Sequence, residues 1–250
     1  MEKLNLISYQ SIIQQIEKTP CGTVYPLSIT EMSQYGDIYK DDESVLLWHY
    51  CGFAFLYGPC DNFFLEEIYK MFLSSRSDLP RRFILFSANP KVIEFFRNKP
   101  DIVFGKRYNF EYPFESPFIR GEIRPDYRVC QINKDIFHKI QGRITPLFSW
   151  RDASEFLSRG MGYCVLHREK AVSWAFSAAV SRDEIDIGIE TAQDFRQMGL
   201  GLAAAEKMIQ FCFEQRKRPV WSCDVNNVAS QKTAEKLGFV KHSEYVTIRR

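Results

Sequence analysis

Residues 184–191 alternate strictly, with Ile185, Ile187 and Ile189 on one side and Asp186 and Glu190 on the other. A period of two is that of a strand with one face buried. The segments 163–166 and 172–180 also read as strands, joined by a polar turn at 167–170, and 181–183 forms the next turn. After the strand at 184–191 comes a loop, then apolar positions at helical spacing from about Gly199 to Gln215. Pro219 restarts the chain into a strand over 220–225. Residues 227–237 read as a helix that Gly238 can stop, and 245–248 as a closing strand. Upstream, 127–132 reads as a strand and 150–157 as a helix with Ser149 as its cap. The order β-α-β-β-β-α-β-α-β predicts an antiparallel meander running into a strand-helix-strand crossover with parallel strands. That is an α/β chain of the α+β kind, with a mixed, largely antiparallel sheet and flanking helices.

The first half is less sharply patterned. Leu6, Ile12, Ile13 and Ile16 fall near helical spacing and predict a helix over about 5–18. Residues 45–57 are buried strand material, enough for two strands. A helix is expected over 63–73 with Asp61 or Asn62 as cap, a strand over 82–86, and a helix opened by Asn89-Pro90 and running to 96. Between 105 and 126, Pro113, Pro117 and Pro125, with Gly105 and Gly121, break any pattern. A domain boundary is placed there, giving 1–120 and 121–250. The strand-helix-strand-helix order between 45 and 96 echoes the second half, without a residue-level period.

Composition narrows the function. Hydrophobic residues make up 45% and charged residues 26% of 250, the balance of a globular protein. With 33 basic against 31 acidic residues, no basic excess points to nucleic acid. The one dense basic run, Arg216-Lys217-Arg218, reads first as a solvated helix end, with contact to an acidic cofactor left open. The seven cysteines are odd in number and contain no C-x-x-C pair, so free thiols, a reducing cytoplasm and no structural metal are expected. The start, MEKLNLISYQ, has no apolar signal core, and the uncharged stretch 44–60 is too short and too turn-rich for a membrane span. Among other chemistry-bearing side chains, His49, Trp174 and Trp221 read as core, and His167 as an exposed turn residue.

The informative segment lies between the strand at 184–191 and the long helix. Arg196-x-x-Gly199-x-Gly201 places two glycines and a cation at a helix start. Free N–H groups and the positive helix end favour an anion there, the glycines allow close backbone approach, and arginine adds a charged hydrogen bond. This segment resembles motif A of the GNAT N-acetyltransferases. Downstream, residues 227–239 read N-x-x-S-x-x-x-A-E-K-L-G-F, which is similar to motif B of the same superfamily. The resemblance covers about residues 121–250. The first half matches nothing as sharply, and its junction Gly58-Pro-Cys-Asp-Asn62 lacks the cradle. The 1–120 segment is then an N-terminal α/β domain, with three roles left open: shaping the acceptor site, dimerising, or being a degenerate GNAT-like copy. The Glu190-Thr191 strand end and the Ala-Glu-Lys-Leu-Gly-Phe helix end resemble a bacterial subgroup with an extra N-terminal domain, the zwittermicin-resistance-type acetyltransferases.

The resemblance implies a layout. Acetyl-CoA is the cosubstrate and no metal is required. Its pyrophosphate would sit on Gln197, Met198, Gly199, Leu200, Gly201 and Leu202, with Arg196 beside them. The pantetheine arm would lie along Ile189, Glu190 and Thr191, in the splay before the strand at 220–225, facing Asn227 and Ser230. One N–H of residues 189–191 would hold the oxyanion. Transfer in the family is typically direct, to an amine, which here implies a small polar acceptor. Glu190 is the first choice for the base and Asp186 the second; both also fit plain solvent-facing carboxylates. Many relatives carry a tyrosine acid where this chain has Ala234, so Tyr245 is the substitute. Neither nucleic acid nor membrane is expected as a partner, and a homodimer is left open. Two competing readings remain: a dinucleotide fold built on Gly199-x-Gly201-x-x-Ala204 with Asp224, and an inactive acyl-CoA-binding sensor or interaction module.

Overall fold

The structure is a computed structural model that describes residues 1–74, 79–113 and 123–250. The chain divides into two compact units, Met1–Asn109 with His242–Arg250, and Phe110–Lys241. The boundary expected at 120/121 lies outside the described residues.

The first unit begins with β1 (Glu2–Lys3), a 3-10 helix (Leu6–Gln15) and α1 (Val24–Thr30). The helix expected over 5–18 is therefore shorter and tighter. Tyr9 and Ile12, three apart, are its buried pair, which is the repeat of a 3-10 turn, whereas Leu6 and Ile7 face solvent. The antiparallel strands β2 (Gly36–Asp41), β3 (Ser44–His49) and β4 (Phe53–Tyr57) follow. Then come α2 (Asn62–Ile68), which Asp61 caps through the Phe64 N–H, and a π turn (Tyr69–Leu73). β5 (Ile84–Ser87) runs parallel to β4, and α3 (Pro90–Arg97) is capped by Asn89. β6 (Val103–Glu111) was not expected, since its burial does not alternate. At the centre of this unit's core Phe72 and Phe83 stack and Trp48 meets Phe72 edge-on, while Arg81 lies 3.7 Å over the Trp48 ring and pairs with Asp37 at 2.7 Å.

His49 is the most acid-sensitive element of this core. Its ring is fully buried, Nδ1 accepts the Cys51 N–H at 3.1 Å, and Nε2 has no partner. Burial, then the Arg81 charge, pushes its pKa down to about 3. The unfolded chain therefore binds a proton that the native state refuses once the pH falls below the ordinary histidine value. Stability from this site is complete above about pH 6.5 and is lost between about 6.5 and 3, by at most ~1.4 kcal/mol per pH unit. His49→Gln should flatten that part of the Tm-against-pH curve, and an unchanged slope would remove His49 as its cause.

The second unit holds β7 (Tyr127–Gln131), α4 (Lys134–Lys139), a 3-10 turn (Pro146–Phe148), α5 (Ala153–Arg159), β8 (Gly162–His167), β9 (Lys170–Val180) and β10 (Glu184–Thr191). A 3-10 turn (Gln193–Phe195), α6 (Leu200–Glu214), β11 (Arg218–Asp224) and α7 (Val228–Lys236) complete it. The last strand, β12 (Val240–Arg249), lies mostly in the first unit, where it pairs antiparallel with β5. The α5 cap is Asp152, which accepts the Glu155 N–H at 2.8 Å, and not Ser149, which is buried. Asp152-x-x-Glu155 carries the spacing of a capping box, the sequence signal for that start. Lys217 reaches the Ser181 carbonyl at 2.6 Å and Arg218 pairs with Glu184, so two of the three residues of the basic run close the turn beneath β10 and β11.

In the second unit the strands are ordered β11-β10-β9-β8-β7, antiparallel except for β10 with β11. The β10–β11 ladder runs only from Glu184 to Asp186 against Arg218 to Val220. At that point β10 also shifts register against β9, between Asp186 and Ile187. The extra residue of this bulge is Ala178 on β9; a bulge raises the local twist, and the β10–β11 ladder ends at the same level. Both units share one connectivity: meander, helix, parallel strand, helix. The result is a mixed α/β architecture, largely antiparallel, with flanking helices. No helix among the described residues is long and apolar enough to cross a membrane.

Candidate functional site

The site is built where β10 ends. The Ala192 N–H donates to the Val172 carbonyl at 2.9 Å, carrying the chain across the end of β9. Arg196 is extended, Gln197 has φ 62° and Gly199 has φ 76°. Left-handed residues of this kind gather backbone N–H groups on a concave side. Gly199 also stands in open space, with nothing within 4 Å of where a Cβ would be. Helix α6 starts at the next residue. The Ala203 N–H makes the first α-helical bond, to the Gly199 carbonyl at 3.2 Å, so the N–H groups of Leu200, Gly201 and Leu202 precede the helical ladder.

Gly201 is needed for a second reason that the sequence did not show. A Cβ there would come 3.1 Å from Thr191 Oγ1 and 3.2 Å from Ile189 Cδ1. The helix start is thus seated on the end of β10, and its free N–H groups lie beside the strand edge that β11 has left. Arg196 is exposed, and its Nε donates to the Thr191 carbonyl at 3.3 Å. That bond holds the guanidinium next to the helix start and leaves its terminal nitrogens to meet an anion. Gln197 and Met198 are exposed and Leu202 is half-buried, whereas Leu200 is buried as the anchor of the first turn. Ser173 and Thr191 share a hydroxyl hydrogen bond at 2.7 Å, tying β9 to the end of β10.

Glu190 lies opposite Trp174 on β9 and is half-buried. Its Oε2 accepts the Ile144 N–H at 2.6 Å, and the Ile144 carbonyl accepts from Trp174 Nε1 at 2.7 Å. Both ends of residue 144 are therefore clamped to the face of β9 and β10, and the segment 141–145 forms a strap over Glu190. Gly142 lets the strap lie this close, since a Cβ there would come 2.5 Å from Glu190 Oε2 and 2.7 Å from Trp174 Cζ2. The strap has no periodicity, cap or motif, so no sequence signal announced it.

The other candidates fall elsewhere. Asp186 is buried at 7% exposure, which removes the solvent-facing reading for it, and it sits at the bulge, about 13 Å of strand from Glu190. Tyr245 lies on β12 in the first unit at 3% exposure, its hydroxyl accepting from Arg107 Nε at 3.3 Å and its ring 5.2 Å from Phe86. It is not among the side chains that the second unit brings together. Asn227 caps α7 by accepting the Ser230 N–H at 3.1 Å, and Ser230 Oγ accepts from Trp221 Nε1 at 3.0 Å. Their oxygens thus already serve the fold. Ala234 is fully buried. Among the described residues no group of three His, Cys, Asp or Glu side chains could hold a metal. Cys164 and Cys212 are buried thiols whose pKa is pushed up to about 12 by desolvation, the opposite of an activated nucleophile.

With β10 ending at Thr191 and α6 starting at Leu200, the junction is longer than the tight glycine turn of a dinucleotide-binding βαβ unit. The family model described as GNAT acetyltransferase matches residues 20–248, and the chain belongs to that family. An uncharacterized N-acetyltransferase of Bacillus subtilis is 26% identical over 253 residues, covering 98% of this chain and 97% of its own. Among solved structures, a GCN5-related N-acetyltransferase-like protein from Streptococcus suis superposes with a TM-score of 0.76 at 22% identity, covering 98% and 99% of the two chains. A GCN5-related N-acetyltransferase from Sphaerobacter thermophilus gives 0.63 at 10% identity, covering 99% and 93%. At these identities the structural likeness speaks for the fold, which extends over both units.

Proposed function

We propose that this protein transfers an acetyl group from acetyl-CoA to an amine of a small molecule by direct attack on the thioester. The observation that carries the reading is the start of α6: three N–H groups without helical partners, a left-handed Gly199 before them and the Arg196 guanidinium beside them. A diphosphate matches that donor set. The parted edge of β10 then accommodates an extended amide arm, and a backbone N–H of Ile189, Glu190 or Thr191 is within the stretch where an oxyanion would form.

In this reading the amine nitrogen attacks the thioester carbonyl, the C–S bond breaks, and the amine loses one proton. Glu190 takes that proton, directly or through one water, on the oxygen not held by Ile144. The thiolate leaves with the CoA and is protonated by solvent, since buried Ala234 supplies no acid. The near-balanced charge of the chain fits a small polar acceptor better than a polyanion. One observation favours a second reading: Glu190 already serves the strap and no acid faces it from Ala234. Such a chain would bind acyl-CoA as a sensor.

Thermal unfolding with acetyl-CoA, CoA and NAD separates these readings. A ligand at about 100 times its dissociation constant adds roughly 2.7 kcal/mol of stability. The expected result is a rise with both CoA compounds and none with NAD, followed by thiol release from acetyl-CoA in an amine panel. Stabilisation without thiol release for any amine would favour the sensor. No stabilisation by either CoA compound would sink both.

A further inference from the structure

The anion-binding loop does not run straight from β10 to α6. It leaves the sheet at Thr191, travels across the ends of β9 and β8 as far as β7, and returns so that Gly201 seats against Thr191 and Ile189. β7 is three strands from β10, about 14 Å away at ordinary strand spacing. What holds the far point of this excursion is a small aromatic clasp. The Phe195 ring lies 5.6 Å from the His167 ring at the end of β8. His167 in turn stacks on Tyr127 at the start of β7, with ring centroids 5.0 Å apart and planes at 30°. The Tyr127 hydroxyl donates to the Met198 thioether at 3.9 Å and accepts from the Arg124 guanidinium at 3.1 Å. Asp126 Oδ2 is 3.7 Å from His167 Nε2, on the outer side of the stack. Tyr127 is buried at 7% exposure, so the base of the clasp is fixed in the core.

We propose that Tyr127, His167 and Phe195 are positioning residues for acyl-CoA. They touch no donor group themselves. They fix the path of 192–199 from both sides, through Phe195 and through Met198. The Arg196 guanidinium and the N–H groups of Leu200 to Leu202 are thereby aimed at one point before a ligand arrives. Arg196 and Gln197 between these anchors, and Gly199 after them, are exposed. Without the clasp the loop samples other paths, and ordering it becomes a cost of binding. The two anchoring rings on the strands, Tyr127 and His167, stand well before the loop in sequence, which is why the loop's own motif does not include them. This inference rests on the acetyl-CoA reading above.

The test measures the donor, not only the fold. Phe195→Ala removes one ring from a half-exposed position. His167→Ala removes the middle ring, and His167→Phe restores a ring without the imidazole. Each variant is measured with acetyl-CoA and with S-acetylpantetheine, which has the same thioester and arm but no pyrophosphate, and CoA affinity is measured by calorimetry. Phe195→Ala and His167→Ala should weaken CoA binding and raise the acetyl-CoA KM by roughly three- to thirtyfold, the size of one or two lost aromatic pairs. kcat and the S-acetylpantetheine KM should hold, and His167→Phe should recover most of the loss. An equal rise in KM for both donors, or no change for either, would overturn the clasp. Wild-type protein that binds no CoA at all would overturn the functional reading first and the clasp with it.

Discussion

Gly201→Val is expected to abolish measurable acetyl-CoA binding in a chain that still folds. The valine Cβ would arrive 3.1 Å from Thr191 Oγ1 and 3.2 Å from Ile189 Cδ1, and its two methyl groups must go somewhere in the same gap. Either α6 lifts off the end of β10 or the methyls turn toward the free N–H groups. Both outcomes spoil the donor set. The stability cost of such overpacking is about 1–3 kcal/mol, offset by only about 0.3 kcal/mol, since β-branched valine gains little over glycine in a helix. Gly201→Ala is the control: its single methyl needs a shift of a few tenths of an ångström, so the fold should hold and affinity should fall only modestly. Gly199→Ala separates conformation from space. Nothing lies within 4 Å of its Cβ, so any loss there comes from φ 76°, worth about 1–2 kcal/mol for a residue with a side chain. Gly201→Val that binds acetyl-CoA as tightly as wild type would show that the helix start is not the diphosphate site.

The same segment shows what the sequence can and cannot reveal. The alternation of 184–191 and the glycine spacing that follows are local, and local pattern is what a strand and a helix start require. Both stand where expected. The splay was implied only by family resemblance. The register shift that accompanies it, with Ala178 of β9 as the extra residue, is a property of the pairing of β10 with β9 and has no mark on β10 alone. The strap over Glu190 is likewise a long-range fact: Ile144 and Glu190 are 46 residues apart and meet through a backbone N–H, which every residue but proline carries. β6 leaves no mark in the sequence because its pattern of exposure has no period, and α4, six residues long, is too short for a helical period to register. The cap is Asp152 and not Ser149 because the helix begins three residues later than its apolar positions suggest. In the first unit, the echo of the second half is legible as element order, yet its strand-to-helix junction carries neither the arginine nor the paired glycines.

Glu190→Gln carries the other large expected effect, and the strap makes it interpretable. A glutamine oxygen can still accept the Ile144 N–H, so the strap and the Trp174 bond to residue 144 should survive. What is lost is the capacity to take a proton. Turnover should fall by about 10²–10⁴-fold, the usual contribution of a positioned general base, with the acetyl-CoA dissociation constant unchanged. Glu190→Ala removes the acceptor as well. It strands a half-buried N–H and loosens the strap, at a cost of about 1–3 kcal/mol in stability. In that variant the acceptor KM should rise together with the fall in kcat. The pair thus splits proton transfer from positioning: Gln affects kcat alone, Ala affects kcat, acceptor KM and Tm. If Glu190→Gln turns over at the wild-type rate across several pH values while Glu190→Ala still loosens the acceptor site, Glu190 is the clamp of the strap and the proton leaves the amine by another route.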